Sequence, residues 1–474
     1  MRVAAARSWS AERRFTLVLL AITLVALVFR LALLTSIAER DPTGGDPLFY
    51  HLQANFLVDG HGFSDPFLWK DTGRYEPVAI HPPLFTLWLA IPSAFGFTGF
   101  LAHKAMSCLA GAFAVAAIGL FGREVAGRRA GLIAAGLATI YPPLWSIDGQ
   151  LWPEGLFTAL VALTAWSAMR AWRRPGLAWA TTTGIFVGLA ALARGEGVIL
   201  AATVVAPLLA FRGPTANGLL ANLRANFKEN VRDLTVAGAA CVMVMAPWAI
   251  RNAMRFEHFV PISTNSDEVL VYANNPFAYG TVENGRFLGF WFYPWQDELR
   301  ALHGEPEGDA SEKARYWGEQ GRSYAREHAD RLPVVIAARV GRAWNLYSPF
   351  QNAAFDKIDG KSQRVSIAGV WAWWAVLAAS IPAIVALRRR GVTLMAFVGL
   401  AATVTISAVY AYGGNRFRTP LDCAALVLAA VTIDYVMRAW RNDTALTEDP
   451  SLIDDPMLGD PVLAGDPPSS EPRP

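Results

Sequence analysis

The sequence predicts an all-α protein that crosses a membrane about ten times and keeps two larger pieces outside the bilayer. Three observations predict it. Of 474 residues, 53% are hydrophobic and only 17% charged, too apolar for an ordinary soluble enzyme. The apolar residues fall in blocks of roughly twenty, the length that crosses a bilayer as a helix. The basic residues keep to alternate short loops. A formal net charge of +3, from 42 Lys+Arg against 39 Asp+Glu with no basic run, excludes a nucleic-acid binder, which needs a concentrated positive surface. Cys108, Cys241 and Cys423 sit inside apolar blocks without CxxC or Cys/His spacing, so they read as small buried hydrophobes and not as metal ligands.

Taken in order, Arg2, Arg7, Arg13 and Arg14 precede the apolar run Phe15–Ile37. That run is longer than a signal-peptide core and lacks a clear cleavage site, so 1–14 reads as a cytoplasmic N-terminus before an uncleaved first span. Further spans are expected at 101–121, 130–147, 154–172, 177–193, 196–211, 233–250, 367–387, 392–410 and 419–438. The clusters Arg123/Arg128/Arg129, Arg170/Arg173/Arg174, Arg212/Arg224/Lys228/Arg232, Arg388/Arg389/Arg390 and Arg438/Arg441 alternate with the other loops. The positive-inside rule then places them, and both termini, in the cytoplasm. Residues 82–99 are apolar enough to cross, but a crossing there would turn every later cluster outward. Two opening prolines, Pro92, Gly96 and Gly99 also break a long helix, so this segment is expected to lie on the outer face.

Two outer pieces follow, at 38–100 and 251–366. In the first, Leu48/Phe49, Leu52, Phe56 and Leu57 fall on one face of a helix lying flat. In the second, the β-prone stretches 269–272 and 290–293 alternate with a charged helical stretch at 309–331, which predicts a small mixed α/β domain. The division is thus a 15–250 core holding the first outer loop, the 251–366 loop domain, and closing spans at 367–440. A cytoplasmic tail at 441–474 repeats Asp-Pro among Gly, Ser and Glu, a composition without a core.

Ionisable residues at a membrane edge are costly to place and mark function. Asp46, Glu154, Arg194 and the pair Arg416/Arg418 all fall on the outer side, from four different loops. A carboxylate beside a reacting hydroxyl serves as general base, and a guanidinium holds phosphate with a planar fork. Together they suit glycosyl transfer from a lipid-phosphate sugar. Hydrolysis of a free glycoside also uses two carboxylates but has no need of the arginines. Simpler roles compete: Asp46 as a helix cap, Glu154 as an acid at a helix start, Arg194 as a partner of Glu196 or a headgroup anchor. Arg30 reads as structural, snorkelling or paired in the bundle. Asp148 is the nearest rival of Glu154.

Several motifs in order carry a resemblance. Gly45-Asp46-Pro47-Leu48-Phe49-Tyr50, Leu57-Val58-Asp59-Gly60-His61-Gly62-Phe63 and the stretch 76–90 (EPVAIHPPLFTLWLA) resemble the first outer loop of GT-C glycosyltransferases of the protein O-mannosyltransferase and lipid A aminoarabinose transferase kind. The stretches 152–157 (WPEGLF), 192–200 (LARGEGVIL), 247–252 (PWAIRN) and 415–422 (NRFRTPLD) are similar too, so the resemblance spans about 15–440. It implies a GT-C bundle that takes sugar from a polyprenyl-phosphate donor, outside the cytoplasmic membrane, and passes it with inversion to an acceptor hydroxyl on a lipid, protein or polysaccharide. On this chain Asp46 matches the family's catalytic acid and Glu154 its second acidic position. His81 stands where the aminoarabinose enzymes have a phosphate-binding Lys, Arg194 at another basic position, and Arg416 or Arg418 at the basic pair before the last span. Two departures stand out: Asp46-Pro47 replaces a frequent Asp-Glu pair, and a histidine is only partly charged at neutral pH. No metal or other cofactor is indicated. A transporter or flippase of a lipid-linked saccharide is the rival reading, but it predicts internal repeats and charges near the midplane. A non-catalytic assembly factor leaves the gathered acids and arginines unexplained.

Overall fold

The computed structural model describes residues 2–36, 44–213, 218–283, 285–290, 296–357 and 360–440. The start of the first outer loop (38–43), the expected strand residues 291–293, Arg441 and the tail at 441–474 lie outside the described residues.

The described residues are helical nearly throughout. α1 (Arg2–Ser36) begins the bundle, with Leu17, Leu20, Leu24, Val25 and Val28 exposed as on a helix solvated by lipid. The first outer loop folds into α2 (Gly45–Val58), α3 (Pro66–Thr72) and α4 (Pro83–Ala94). Helices stand where two were expected, α2 and α4, and each buries one face: Phe49, Tyr50 and Phe56 on α2, Phe85 and Leu89 on α4.

α5 (Phe100–Ile140) is two arms folded back on each other at Ala126–Gly127. Gly127 has φ +88° and ψ 178°, a region open essentially only to glycine. The arms touch backbone to backbone: a Cβ on Gly131 would lie 2.6 Å from the Gly119 carbonyl oxygen, and one on Gly122 3.1 Å from the Ala134 Cβ. Small residues are what permit so close an approach. The second arm stops at Ile140, short of the expected span at 130–147. Pro142 forbids the helical region to Tyr141, which sits at φ −73°, ψ 111°, and a fresh short helix, α6 (Pro142–Asp148), starts there.

α7 (Glu154–Arg173) and α8 (Leu177–Ala193) follow. The expected span at 196–211 is a 3-10 turn (Gly195–Val198), a π-helical stretch (Ala201–Val205) and α9 (Ala206–Ala210). Next come α10 (Leu219–Ala225) and α11 (Phe227–Ala253). The second outer piece contains α12 (Asn265–Ala273), α13 (Pro276–Gly280), the two-residue antiparallel strands β1 (Val282–Glu283) and β2 (Arg286–Phe287), α14 (Gln296–His303), α15 (Ala310–Glu327), α16 (Leu332–Ala343) and α17 (Pro349–Phe355). α15 is the expected charged helix, opened by a capping box between Asp309 and Glu312. The expected strand at 269–272 is instead part of α12, so among the described residues this piece is helical with one small hairpin, not mixed α/β. Packing overrides β-propensity there: Val269 and Val271 are buried, and α15 presses glycines onto α12, a Cβ on Gly318 falling 3.1 Å from the Asp267 Cβ. α18 (Gln363–Arg389), α19 (Met395–Tyr410), a 3-10 turn (Asn415–Arg418) and α20 (Thr419–Trp440) close the bundle.

Among the described residues, five helical stretches are long and apolar enough to cross a membrane: Ser10–Leu34, Phe100–Ile140, Phe227–Ala253, Gln363–Arg389 and Asn415–Trp440. The protein is therefore a multi-pass membrane protein. The other expected crossings fall on helices that are shorter, such as α8 and α19, or less apolar, such as α7. The arginine clusters gather at one end of the bundle. Glu12 pairs with Arg123 at 2.7 Å and Arg128 at 3.5 Å, Glu124 with Arg170 at 2.7 Å and Arg173 at 3.3 Å, and Asp434 with Arg129 at 3.1 Å and Arg438 at 2.9 Å.

Candidate active site

At the other end, residues from six separate segments line one cavity of about 460 Å³. Asp46 enters from the first turn of α2, after Gly45 at φ +67°. The helix is capped at Gly44 with no side-chain hydrogen bond, so Asp46 is not its cap. His81, just before α4, points its Nε2 at Asp46 Oδ1, 3.5 Å away, and its ring stacks on Tyr50 with centroids 4.7 Å apart. Burial pushes the Asp46 carboxyl up, but His81 first, then Arg416 and Arg194, pull harder and bring it down to about 2. Asp46 is therefore an ionised acceptor with cations around it.

Arg194 caps the end of α8 and donates to both Glu154 and Glu196, the latter at 2.5 Å. Burial works against its charge, and the two carboxylates outweigh it, so its pKa is raised. Arg416, on the 3-10 turn before α20, lies over the Trp152 ring at 4.2 Å and reaches the Tyr412 hydroxyl at 3.4 Å. Burial pushes the hydroxyls of Tyr50 and Tyr412 up, which keeps both protonated.

The structure thus brings Asp46, His81, Arg194 and Arg416 to one cavity. It does not bring Arg418, whose guanidinium pairs at 2.9 Å with Asp422 and faces a second, smaller cavity. Neighbours two apart on a 3-10 turn point to different sides, so Arg418 misses the large cavity while Arg416 lines both. Glu154 is buried and joins the large cavity only through Arg194. Asp148, its rival, is paired with Arg30 at 2.6 Å, so Arg30 is held within the bundle. Sequence reasoning missed Tyr50, Tyr412 and Trp152. Tyr50 could have been found, since it follows Asp46 at the four-residue spacing of helical neighbours; Tyr412 lies in the non-helical stretch between α19 and the 3-10 turn, where no such spacing rule applies. Among the described residues no group of three or more His, Cys, Asp or Glu gathers that could hold a metal ion.

The fold is similar to that of membrane-embedded oligosaccharyltransferases of known structure. Residues 80–250, less than half of the chain, match the model of the dolichyl-phosphate-mannose-protein mannosyltransferase family. Among solved structures it is similar to the archaeal oligosaccharyltransferase AglB from Archaeoglobus fulgidus in complex with an inhibitory peptide and a dolichol-phosphate, at 17% identity and TM-score 0.50, over 90% of this chain and 52% of that one. The Archaeoglobus fulgidus oligosaccharyltransferase with Zn and sulfate gives 17% identity and TM-score 0.52, over 89% and 50%. ArnT from Cupriavidus metallidurans bound to undecaprenyl phosphate gives 14% identity and TM-score 0.42, over 90% and 78%. The chain spans about half the length of the oligosaccharyltransferases it matches. A search of curated protein sequences gave no match.

Proposed function

We propose that the protein is an inverting glycosyltransferase that moves a sugar from a polyprenyl-phosphate donor to an acceptor hydroxyl on the extracytoplasmic face of the cytoplasmic membrane. The observation that carries this reading is one ionised carboxylate, Asp46, facing the same cavity as Arg194 and Arg416. The cavity is also apolar along Ile199, Ile262, Val269 and Ile406, a wall suited to a prenyl chain beside a charged floor suited to its phosphate. The dolichol-phosphate held in the Archaeoglobus fulgidus oligosaccharyltransferase complex supports a lipid phosphate as the ligand of this fold.

In the reaction, Asp46 accepts the proton of the acceptor hydroxyl. The acceptor oxygen bonds to the sugar's anomeric carbon as the bond from that carbon to the phosphate oxygen breaks, which inverts the configuration. Arg194 and Arg416, with His81 when it is protonated, hold the leaving polyprenyl phosphate and its developing charge. Glu154 fixes Arg194 from behind and through it orients the donor. The arginine clusters at the far end of the bundle support the orientation, with both termini in the cytoplasm and Asp46 outside. The piece at 251–366, which brings Ile262 and Val269 to the cavity wall, would select the acceptor.

The test is transfer of labelled sugar from a panel of polyprenyl-phosphate donors by membranes holding matched amounts of wild type or Asp46→Asn. Loss of about a hundredfold or more, the order expected for removing a general base, supports the reading. Equal transfer by both would remove Asp46 from the mechanism, and no transfer by wild type from any donor would sink the enzyme reading.

A further inference from the structure

Beside the large cavity, and sharing Arg416 with it, lies a smaller one of about 40 Å³, lined by residues from α1, α5, α6, α7, α18, the turn before α20 and α20 itself. Its walls are charged on most sides. Arg30 pairs with Asp148 at 2.6 Å, Arg418 with Asp422 at 2.9 Å, and Lys361 lies 3.6 Å from Asp356. These pairs leave hydrogen-bonding capacity over. Arg30 Nη2, Arg418 Nη1, Asp148 Oδ1, Glu154 Oε2 and Ser366 Oγ are buried with no hydrogen-bond partner among the described residues, and the residues that carry them all line this chamber. Two are cationic donors, two are carboxylate acceptors and one is a hydroxyl.

Buried polar atoms are rarely left unmatched in a folded protein, and a cavity takes water when it is polar and roomy enough. We infer that the chamber is a binding site for a fixed cluster of about three waters, by its volume, which accept from Arg30 and Arg418, donate to Asp148 and Glu154, and make Asp148 a positioning residue for Glu154. Glu154 is the residue at the boundary. Arg194 holds one of its oxygens from the active-site side, and the waters hold the other, so the carboxylate plane is fixed from both faces. Whatever Arg194 grips is then placed by a rigid support. Space for Asp148 comes from two glycines on neighbouring helices: the nearest heavy atoms to a Cβ on Gly111 would be those of the Asp148 carboxyl, and a Cβ on Gly155 would lie 2.6 Å from Asp148 Oδ1. A pair that served only to tie α1 to the bundle would need neither the open oxygen on Asp148 nor the facing one on Glu154.

This inference rests on the glycosyltransferase reading for its kinetic consequence, but not for the waters themselves, so two measurements separate the two. The first is an experimental structure of the wild type that resolves ordered water. Density bridging Glu154 Oε2 and Asp148 Oδ1 is expected, and a dry chamber overturns the proposal whatever the protein catalyses. The second is steady-state transfer by Asp148→Asn, which keeps shape but removes the acceptor charge, and by Gly155→Ala, which keeps every charge but displaces Asp148. Misplacing a supporting group is expected to lower kcat about tenfold or more in both, with the donor KM nearly unchanged. Unchanged kcat in folded variants, or a raised KM with kcat intact, overturns the positioning role. If neither variant folds, the water density decides the matter; if the wild type transfers no sugar, the function proposed above fails while the density still tests the chamber.

Discussion

Burial alone would push the Asp46 carboxyl above its ordinary value of 3.8; it comes down to about 2 because His81, and behind it Arg416 and Arg194, pull harder. A carboxylate with a depressed folded pKa adds stability that is present above the ordinary value and lost as pH falls through the folded one. It also stays a competent base over that range. The acid limb of a kcat/KM profile should therefore not come from Asp46 until well below ordinary carboxylate values. In His81→Gln the strongest pull is gone, so Asp46 should titrate higher and the acid limb should move up; a limb that stays put would show that this contact does not set the base. Asp46, Arg194 and Arg416 were legible because each is a charged intrusion near the end of an apolar block, and His81 only through the family resemblance. Choosing Arg416 over Arg418 was not legible, since the choice depends on which way a four-residue 3-10 turn rotates each side chain.

Helices were legible wherever an apolar run had the length of a span, and their interruptions less so. Tyr141-Pro142-Pro143 ends the second arm of α5 early, a local rule that apolarity hid. The helix at 265–273 defeated local propensity altogether, because contact with the glycine face of α15 decides it. The turn at Gly127 gives a sharp test at this scale. Its φ of +88° makes Gly127→Val cost about 1–3 kcal/mol, so the purified variant should show a lower melting temperature and a lower folded yield. Gly136→Ala, with nothing within 4 Å of its new Cβ, should melt at or above the wild type. A Gly127→Val protein as stable as the parent would show that the reversal at 126–127 is not formed as described.

At the scale of the whole molecule, two ends of different chemistry face apart. One collects Arg123, Arg128, Arg129, Arg170, Arg173 and Arg438 on three acidic residues; the other holds the cavity with Asp46. With the arginine end in the cytoplasm, a membrane-impermeant thiol reagent should label Trp69→Cys in intact cells and Arg389→Cys only after permeabilisation, in a background with Cys241 replaced. Labelling of both from the same side would defeat the proposed orientation.

The sequence by itself determined that the chain lives in a membrane, that the stretch after its first span carries helices, and which charged residues interrupt the ends of apolar blocks. These follow from composition, block length and the cost of placing charge in lipid, all local quantities. Only the tertiary structure decided that Arg418 turns away from Arg416, that Asp148 and Arg30 pair across 118 residues, and that Glu154 stands between two cavities. Those facts depend on which helices pack together and how each is rotated about its axis, and no local stretch of sequence contains that information.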